Sequence, residues 1–306
     1  MGLRITVLGR GAWGGTLLRL WERQGHALRS WSRRDGGEPA AVLQDSDLAV
    51  VAVSMAGVAH LARNLQGHWP AGLPLLSCSK GIDLDTLCTA SQLWRHHLPE
   101  VPLAVLSGPN LADEVERGLP AASVLSSDDP ALARDLQAQL RTPHLRLYTN
   151  FDPIGTEAAG ALKNVIAVAA GISDGLGLGA NAKASLLCRG LSEIAVVLQA
   201  LGGQPTTLYG LAGLGDLLAT ANSSLSRNYR FGTLLAEGCE ESAALTRIGA
   251  TVEGPRTARA TLALAEREGW QLPICGQVVR LLAGEVEARQ AVQELMQRDL
   301  RAEAVP

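Results

Sequence analysis

Residues 3–15, LRITVLGRGAWGG, decide the fold of the first part of the chain. An apolar run leads into Gly9, Gly11 and Gly14, which are spaced as G-x-G-x-x-G, and a helical pattern follows over residues 13–24. In this spacing the first glycine permits a tight turn, the second lets a pyrophosphate approach the backbone, and the third lets the helix pack on the strand. Free N–H groups at the helix start favour an anion. The stretch predicts a dinucleotide site; the alternative is an ordinary turn between a strand and a helix.

Short apolar strands alternate with helical patterns over the first half of the chain, which predicts a parallel, doubly wound sheet. The expected strands cover residues 3–9, 27–32, 48–54, 73–79, 103–107, 121–126 and 145–148. Helical patterns between them include residues 56–66 and 130–140. The run LAVVAVS at residues 48–54 is almost entirely apolar, as expected of a strand that is buried on both faces.

The pattern changes near residue 150, where long stretches rich in alanine and leucine replace the strands. Helices are expected at residues 155–172, 180–201, 213–222, 229–237, 254–268 and 281–284, the last leading into 286–301. Two glycine-rich segments, residues 171–179 and 210–216, are expected to form close-packed loops. The sequence therefore predicts the α/β class, with an N-terminal Rossmann-like doubly wound domain at residues 1–150 and an all-α C-terminal domain at residues 151–306.

The composition narrows the class of protein further. Charged residues make up only 19% of the chain and hydrophobic residues 47%, so we expect globular domains with large cores rather than disorder. The net charge of −3 gives no basic field for nucleic acid, and the histidines show no metal-ligand spacing. The cysteines are odd in number and widely spaced, as in a reduced cytoplasmic protein: Cys78, Cys88, Cys188, Cys239 and Cys275.

Two further expectations concern targeting and assembly. The first strand begins directly after Met1, which leaves no room for a signal peptide. No apolar run is long enough to predict a membrane span. Together with the cysteines, the histidine spacing and the net charge, this predicts a cytoplasmic protein with no metal and no nucleic-acid partner. The oligomeric state stays open, and a homodimer is one of the alternatives.

Charged residues follow the second strand, where an adenosine ribose would lie. Arg33 and Arg34 suit the 2′-phosphate of NADP(H), because an arginine in place of an acid accommodates that group. Asp35 follows directly and could serve the ribose hydroxyl of NAD(H) instead. The alternative is a charged surface turn with no ligand.

Polar residues also follow two later strands, at the sheet edge where ligands of doubly wound sheets bind. Lys80 lies in Ser79-Lys80-Gly81, and Gly108 and Asn110 lie in Ser107-Gly108-Pro109-Asn110. They are therefore candidates for contacts with a substrate or with a nicotinamide. The alternatives are a solvated lysine and a plain turn.

Lys163 is the most informative side chain of the second half. It lies in AAGALKNVIAVAA, residues 158–170, where it and Asn164 are the only polar residues. A helix that is apolar on all sides is buried, and a buried lysine is rare unless it is paired or functional. Desolvation would lower the pKa of its amine and ease proton exchange near neutral pH. The alternative is a lysine at the helix edge that extends its amine to solvent.

Further polar residues begin predicted helices in the second half. Ser226-Arg227-Asn228 combines a serine, a guanidinium and an amide at a helix start, which suits a phosphate. Asp216 could hold a substrate hydroxyl or simply cap the next helix. Glu253 could contact a ligand or only compensate the helix dipole. For Ser226 and Arg227, the alternative is that the serine is an ordinary helix cap and the arginine lies on the surface.

Taken together, these segments resemble the bacterial-type NAD(P)-dependent glycerol-3-phosphate dehydrogenase family. The similarity covers GRGAWGG, SKGI, LSGPNLADEVERGLP, the run at residues 148–184, GLAGLGDL, SRNYRFG and VEGPRTA, in the order of the family. The resemblance implies reversible reduction of dihydroxyacetone phosphate to sn-glycerol 3-phosphate with NADP(H) or NAD(H), which feeds glycerophospholipid synthesis.

The resemblance also implies a role for individual residues, with Lys163 as the catalytic group that exchanges the proton. The implied substrate contacts are Lys80, Gly108, Asn110, Lys163, Asp216, Ser226, Arg227 and Asn228. The implied cofactor contacts are Gly9, Gly11, Ala12, Trp13, Gly14, Arg33, Arg34, Lys80, Ala112, Arg227, Thr251 and Glu253.

The chain departs from the family pattern in places, and two other functions stay open. Between Arg34 and the next strand the chain has only DGGEPAAVLQDSD, where the family usually has a longer segment. Val53-Ser54-Met55 replaces V-P-S, and Asn110 stands where serine or threonine is frequent. One alternative function is a two-domain dehydrogenase of a hydroxy acid or sugar acid. The other is a catalytically silent sensor of NADP.

Overall fold

The computed structural model describes residues 2–299, in which a sheet flanked by helices is followed by a unit made of helices. The strands are β1 Arg4–Leu8, β2 Ala27–Trp31, β3 Leu48–Val51, β4 Leu75–Ser77, β5 Leu103–Ser107, β6 Ala121–Ser126 and β7 Leu145–Asn150. The helices among them are α1 Ala12–Glu22, α2 Pro39–Val42, α3 Met55–Leu65, α4 Ala90–His97, α5 Ala112–Glu116 and α6 Pro130–Leu140. The later helices are α7 Pro153–Gly175, α8 Gly179–Ala200, α9 Asp216–Ala221, α10 Arg227–Ala236, α11 Glu241–Ile248, α12 Gly254–Glu268, α13 Pro273–Leu282 and α14 Ala288–Met296. Within residues 2–299, none of the helices combines the length and the apolar character that crossing a bilayer requires.

The sheet has the strand order β2-β1-β3-β4-β5-β6-β7, which confirms the predicted α/β class. From β1 the chain passes to β2 on one side and later to β3 on the other, so a crevice opens at the carboxyl ends of these strands. The expectation of an entirely parallel sheet is wrong at one place, because β6 runs antiparallel to β5. The connection between them contains only the short helix α5, and β6 returns directly beside β5 instead of crossing over.

The sheet has an apolar core on each face. Ile5 and Val7 of β1 point into a cluster with Leu17 of α1, whereas Leu8 points into a cluster with Val58 of α3 on the opposite face. This division follows from the alternation of side chains along a strand. All four residues of β3 are buried, as the apolar run predicts.

Helix α7 forms the centre of the helical unit and is buried along nearly its whole length, from Gly155 to Ser173. The buried Glu157 of α7 also joins the helical unit to the sheet unit. The carboxylate accepts hydrogen bonds from the backbone N–H of Ser91 at 3.0 Å and from the Ser91 hydroxyl at 2.5 Å. Glu157 thereby satisfies the Ser91 N–H in the first turn of α4, which belongs to the sheet unit.

The prediction of a loop at residues 171–179 is wrong for its first half, because α7 continues to Gly175. The glycines allow a close helix crossing instead of breaking the helix. A Cβ on Gly171 would lie 2.0 Å from the carbonyl oxygen of Tyr229 in α10, and a Cβ on Gly232 of α10 would lie 2.0 Å from that of Val168. Tertiary packing therefore outweighs the low helix propensity of glycine.

We expect Gly171→Ala to lower the free energy of unfolding by about 3 kcal/mol, because the added methyl group must push two buried helices apart. Gly276→Ala in α13 is the matched control, since a Cβ there meets no atom within 4 Å. That substitution should raise the free energy of unfolding by about 0.5–1 kcal/mol. Urea unfolding measures both free energies. If the two substitutions changed the free energy of unfolding equally, the close crossing of α7 and α10 would be contradicted.

The helical prediction at residues 281–284 has the wrong bounds, because α13 begins earlier, at Pro273, and ends at Leu282. Helix α14 then occupies Ala288–Met296, while residues 300 and 301 of the predicted 286–301 segment lie outside the described residues.

The start of α13 is capped by a residue that is distant in sequence, the buried Glu193 of α8. Its carboxylate accepts hydrogen bonds from the N–H groups of Ile274 and Cys275 at 2.6 and 3.0 Å. Burial raises the pKa of the Glu193 carboxyl to about 7.

Candidate active site

The glycine turn between β1 and α1 has the geometry of a dinucleotide site. Gly9 has a φ of +106°, and a Cβ there would lie 2.7 Å from the carbonyl oxygen of Ala52. A Cβ on Gly14 would lie 1.9 Å from the Gly9 carbonyl oxygen, so only glycine lets α1 pack so closely. Gly11 faces open space, with no atom within 4 Å of a Cβ. The turn therefore leaves room for a pyrophosphate at the position where the sequence predicts one.

The start of α1 is also available to a phosphate. The cap residue Gly11 supplies no side-chain hydrogen bond to the first turn, which begins with Ala12 and Trp13. Ala112, the first residue of α5, lies beside this helix, since its carbonyl accepts from the Thr16 hydroxyl at 3.4 Å. These residues fit a nicotinamide dinucleotide.

Arg33 and Arg34 lie in a short 3₁₀ turn that follows β2, and both are exposed. The Ser32 hydroxyl accepts from the Arg34 backbone N–H at 3.2 Å and fixes the turn. Within residues 2–299 neither guanidinium has an ion-pair partner. Both are therefore free to meet an anion at the carboxyl end of β2.

A buried carboxylate holds two lysines where the two units meet. Lys163 Nζ donates to Asp216 Oδ1 at 2.9 Å and to the Thr220 hydroxyl at 2.6 Å. Lys80 Nζ donates to Asp216 Oδ2 at 2.6 Å and to the Gly108 carbonyl at 3.0 Å. Lys163 is 7% exposed and Asp216 1% exposed, so this lysine does not extend to solvent.

Burial and charge act on this cluster in opposite directions. Burial lowers the pKa of the Lys163 amine to about 8; the Asp216 carboxylate opposes this shift, while Lys80 and Arg227 add to it. Burial would raise the pKa of the Asp216 carboxyl, but Lys163 and Lys80 outweigh it and hold that pKa below its usual value. An amine that can release its proton near neutral pH is the kind of group that acid–base catalysis requires.

Three segments bring the cluster together. Lys80 follows β4, Lys163 lies in the middle of α7, and Asp216 is the first residue of α9. The expected loop at residues 210–216 is instead a π-helical turn, Leu211–Gly215, leading into α9, and Asp216 makes no side-chain cap there. Gly160 lets α7 pass the end of β5, since a Cβ on it would lie 2.8 Å from the Ser107 hydroxyl.

Arg227 lies close enough to Lys163 to affect its pKa. It is the first residue of α10, it is partly buried, and within residues 2–299 it has no side-chain hydrogen bond. Burial lowers the pKa of its guanidinium, and Glu253 opposes that shift. Glu253 Oε1 accepts from the backbone N–H of Met55 at 3.3 Å, which links the start of α12 to the start of α3. Thr251 is exposed beside it.

The neighbours of Arg227 are engaged within the protein. The Ser226 hydroxyl accepts from the Tyr229 N–H at 3.2 Å and caps α10. Asn228 donates to Asn164 Oδ1 at 2.8 Å and accepts from the Gly254 N–H at 2.9 Å, so its amide joins α7, α10 and α12. Within residues 2–299, Arg227 is thus the one side chain of the Ser226-Arg227-Asn228 segment that is free of internal hydrogen bonds.

Gly108 and Asn110 lie beyond β5, close to Lys80. Gly108 has a φ of +127°, which only glycine adopts readily, and this conformation places its carbonyl at 3.0 Å from Lys80 Nζ. Asn110 Oδ1 accepts from the Ser123 hydroxyl. Its Nδ2 is buried and has no hydrogen-bond partner among the described residues. An unsatisfied buried donor of this kind is a candidate for binding a polar ligand.

Sequence reasoning missed two residues of this site. Thr220 lies one turn after Asp216 on α9, and its hydroxyl accepts from Lys163 and donates to Asp216 at 3.1 Å. The spacing of four residues on a helix was the available signal. Gly160 gave no signal, because the need for it arises only where α7 meets β5.

A dinucleotide-type sheet whose strand ends meet a buried lysine on a helical unit defines a two-domain nicotinamide-dependent dehydrogenase. Residues 37–133 match the family described as "NAD-dependent glycerol-3-phosphate dehydrogenase N-terminus", and residues 152–293 match the corresponding C-terminus. The chain belongs to this family, which confirms the resemblance stated from the sequence.

Individual relatives agree with this assignment. The chain is 54% identical over 303 residues to a glycerol-3-phosphate dehydrogenase [NAD(P)+] of Synechococcus sp. (strain RCC307), covering 99% of this chain and all of the relative. A protein of the same name from Trichormus variabilis (strain ATCC 29413 / PCC 7937) is 45% identical, with 98% of each chain covered. The crystal structure of glycerol-3-phosphate dehydrogenase from Coxiella burnetii superposes with a TM-score of 0.92 at 34% identity, covering 97% of this chain and 99% of that one.

Proposed function

We propose that the chain reduces dihydroxyacetone phosphate to sn-glycerol 3-phosphate with NADPH or NADH, reversibly, and supplies the backbone of glycerophospholipids. The observation that carries the proposal is the buried Lys163 amine, held by Asp216 and Thr220 at the junction of the two units. Family membership and the names of the relatives support the same reaction.

The residues around the glycine turn would hold the cofactor. Gly9, Gly11 and Gly14, with the first N–H groups of α1, would bind the pyrophosphate, and Arg33 and Arg34 would bind the adenosine end. Ala112, Thr251 and Glu253 remain proposed contacts as well. When bound, NAD(P)H supplies the hydride for the carbonyl carbon of the substrate.

Lys163 would supply the proton. Its ammonium donates a proton to the carbonyl oxygen as negative charge develops there, and in the reverse direction the neutral amine accepts a proton from the hydroxyl. Asp216 and Thr220 fix the direction of the amine. Lys80 would assist by holding the other oxygen of Asp216 and by adding positive charge near the oxyanion.

Arg227 would hold the substrate phosphate. Its guanidinium is partly buried and without an internal hydrogen bond among residues 2–299, and a guanidinium binds phosphate with two parallel hydrogen bonds. The unsatisfied Nδ2 of Asn110 would donate a hydrogen bond to the substrate. Gly108, Ser226 and Asn228 would shape the site through the backbone and through the bonds described above. Binding energy at the phosphate then positions the carbonyl for reaction.

The pH dependence follows from the lowered pKa of Lys163. Reduction needs the ammonium, so its kcat/KM should fall as the pH rises through about 8, while kcat/KM for oxidation should rise over the same range. Both profiles can be measured from the absorbance of the nicotinamide. A reduction profile that stays flat from about pH 7 to 10 would contradict the assignment.

Three broader statements are part of the proposal. We place the domain boundary at residues 150 and 151, with a cofactor domain of residues 1–150 and a substrate domain of residues 151–306; the change from β7 to α7 supports it. A cytoplasmic location is supported by the five free cysteines. A homodimer is supported by large apolar side chains on the surface, such as Tyr148 and Phe151, and sedimentation measurements test it.

The direct test is an assay of the purified chain with dihydroxyacetone phosphate and each cofactor. We expect oxidation of NADPH or NADH that depends on the phosphorylated ketone, and negligible turnover with unphosphorylated dihydroxyacetone. Turnover with hydroxy-acid substrates instead would identify another dehydrogenase, and cofactor binding without turnover would identify a sensor.

A further inference from the structure

The residue between the first two glycines of the turn is an arginine that is already paired. Arg10 Nη2 donates to Asp35 Oδ1, and both side chains are nearly half exposed. Asp35 is the last residue of the 3₁₀ turn after β2. The ion pair therefore connects the glycine turn to the segment where an adenosine ribose lies in folds of this type.

A cleft of about 550 Å³ opens beside this pair. Its polar lining includes Arg10, Arg34, Asp35 and Ser32, together with Arg19 of α1. Arg19 is engaged elsewhere, because it pairs with Glu116 of α5 at 2.7 Å. Within residues 2–299, Arg34 has no ion-pair partner, and the partner of Arg10 is Asp35, which itself lines the cleft, whereas Glu116 does not. Arg10 and Arg34 are therefore the cationic groups of this cleft that a ligand can recruit.

The segment that carries Asp35 is held in place. The Ser32 hydroxyl accepts from the Arg34 N–H, and the Trp31 indole N–H donates to the Gly37 carbonyl at 3.1 Å. Gly36 and Gly37 both have positive φ values, 71° and 75°, which turn the chain back towards the indole. Asp35 thus stays beside Arg10 because of the backbone and not only because of the ion pair.

We propose that the Arg10–Asp35 ion pair determines the relative affinities for NADPH and NADH. The Asp35 carboxylate binds the Arg10 guanidinium, which would otherwise bind a ribose 2′-phosphate. The inference rests on the proposed function and adds residues that specify the cofactor. With a 2′-phosphate present, Arg10 turns from the carboxylate to the phosphate and acts together with Arg34. With a 2′-hydroxyl present, Asp35 remains beside Arg10 and accepts a hydrogen bond from the ribose.

The charges explain why one site serves both cofactors. A phosphate near two guanidinium groups gains charge-assisted hydrogen bonds, but it also meets the negative charge of Asp35. A ribose hydroxyl gains the carboxylate as an acceptor without that repulsion. The carboxylate therefore weakens the binding of NADPH and strengthens that of NADH, which brings the two affinities together.

The test uses probes that carry the adenosine end alone: adenosine 2′,5′-bisphosphate and adenosine 5′-monophosphate. Calorimetry gives the dissociation constant of each for the full chain and its variants. Arg10→Gln should weaken the bisphosphate about tenfold and leave the monophosphate within about twofold. Asp35→Asn should tighten the bisphosphate about threefold, because the repulsion is lost, and weaken the monophosphate, because a neutral amide oxygen replaces the charged acceptor.

Arg19→Gln is the matched control, since it removes an arginine that lines the same cleft but is paired with Glu116. It should leave the ratio of the two dissociation constants unchanged. The proposal is overturned if Arg10→Gln changes this ratio no more than Arg19→Gln does. It is also overturned if Asp35→Asn weakens both probes alike. Because both targeted side chains are nearly half exposed, neither substitution disturbs the core.

Steady-state kinetics separates this inference from the proposed function. If the chain turns over dihydroxyacetone phosphate, the ratio of kcat/KM for NADPH to that for NADH should rise in Asp35→Asn and fall in Arg10→Gln. If turnover is absent with both cofactors while the probe affinities still change as expected, the proposed function fails and the adenosine site stands. If turnover is normal and the ratios do not change, only this inference fails.

Discussion

Replacing Lys163 with alanine is expected to lower kcat by about 10²–10⁴-fold and to leave the affinity for NADPH near that of the unmodified enzyme. The amine is the proposed proton donor, and the surrounding groups do not replace it. In the variant, Lys80 keeps its hydrogen bonds to the Gly108 carbonyl and to Asp216. The Asp216 carboxylate then contacts one ammonium instead of two. Stopped-flow or steady-state assays give kcat, and fluorescence titration gives the affinity for NADPH.

The control for this variant is Lys183→Ala. Lys183 is also a partly buried lysine of the helical unit, and its ammonium donates to Asp174 at 2.6 Å, but it belongs to a separate cluster with Tyr229. Its loss should change kcat by less than about twofold, as expected of a residue outside the reaction. A Lys163→Ala enzyme with near-normal kcat would exclude the proposed proton transfer, whatever the control shows.

Replacing Arg227 with alanine should raise the KM for dihydroxyacetone phosphate by about 10- to 100-fold, with a smaller effect on kcat. The guanidinium is the proposed phosphate ligand, and hydrogen bonds between charged groups in a partly buried site account for an effect of that size. A second effect follows from its charge. Because Arg227 helps to lower the pKa of Lys163, its removal should move the pH dependence of reduction to higher pH.

Arg230→Ala provides the comparison for Arg227. Arg230 lies one turn later on the same helix and is exposed. Its positive charge nevertheless helps to lower the pKa of Arg227. Its loss should leave KM for the ketone nearly unchanged. If the two variants raise KM equally, the phosphate lies elsewhere and Arg227 has only a general electrostatic effect.

Several parts of the fold could be predicted because they depend on local sequence. The apolar run, the glycine spacing and the helix that follows are contiguous, and the structure has β1, the turn and α1 within a few residues of the expected positions. The burial of Lys163 was also predictable, because a helix with apolar residues on all sides must be buried. The family could be identified for a related reason, since its motifs are local and occur in order.

Other parts could not be predicted, because they depend on residues far apart in the chain. Gly171 suggests a break in a helix until α10 is seen to pass within contact of it. The antiparallel direction of β6 and the distant capping of α13 by Glu193 likewise follow from neighbours that local patterns do not show. The roles of the individual site residues stay predictions until the variants are measured.

The sequence by itself predicted a dinucleotide site at the glycine turn and determined that Lys163 is buried, because a glycine turn and an apolar helix are encoded by adjacent residues. Only the tertiary structure decided what that lysine meets. Packing inside the helical unit brings Lys163 onto the Asp216 carboxylate, and the docking of that unit on the strand ends adds Lys80. Hydrogen bonds and charges act over a few ångströms in space, and nothing in the spacing of these residues along the chain fixes that distance.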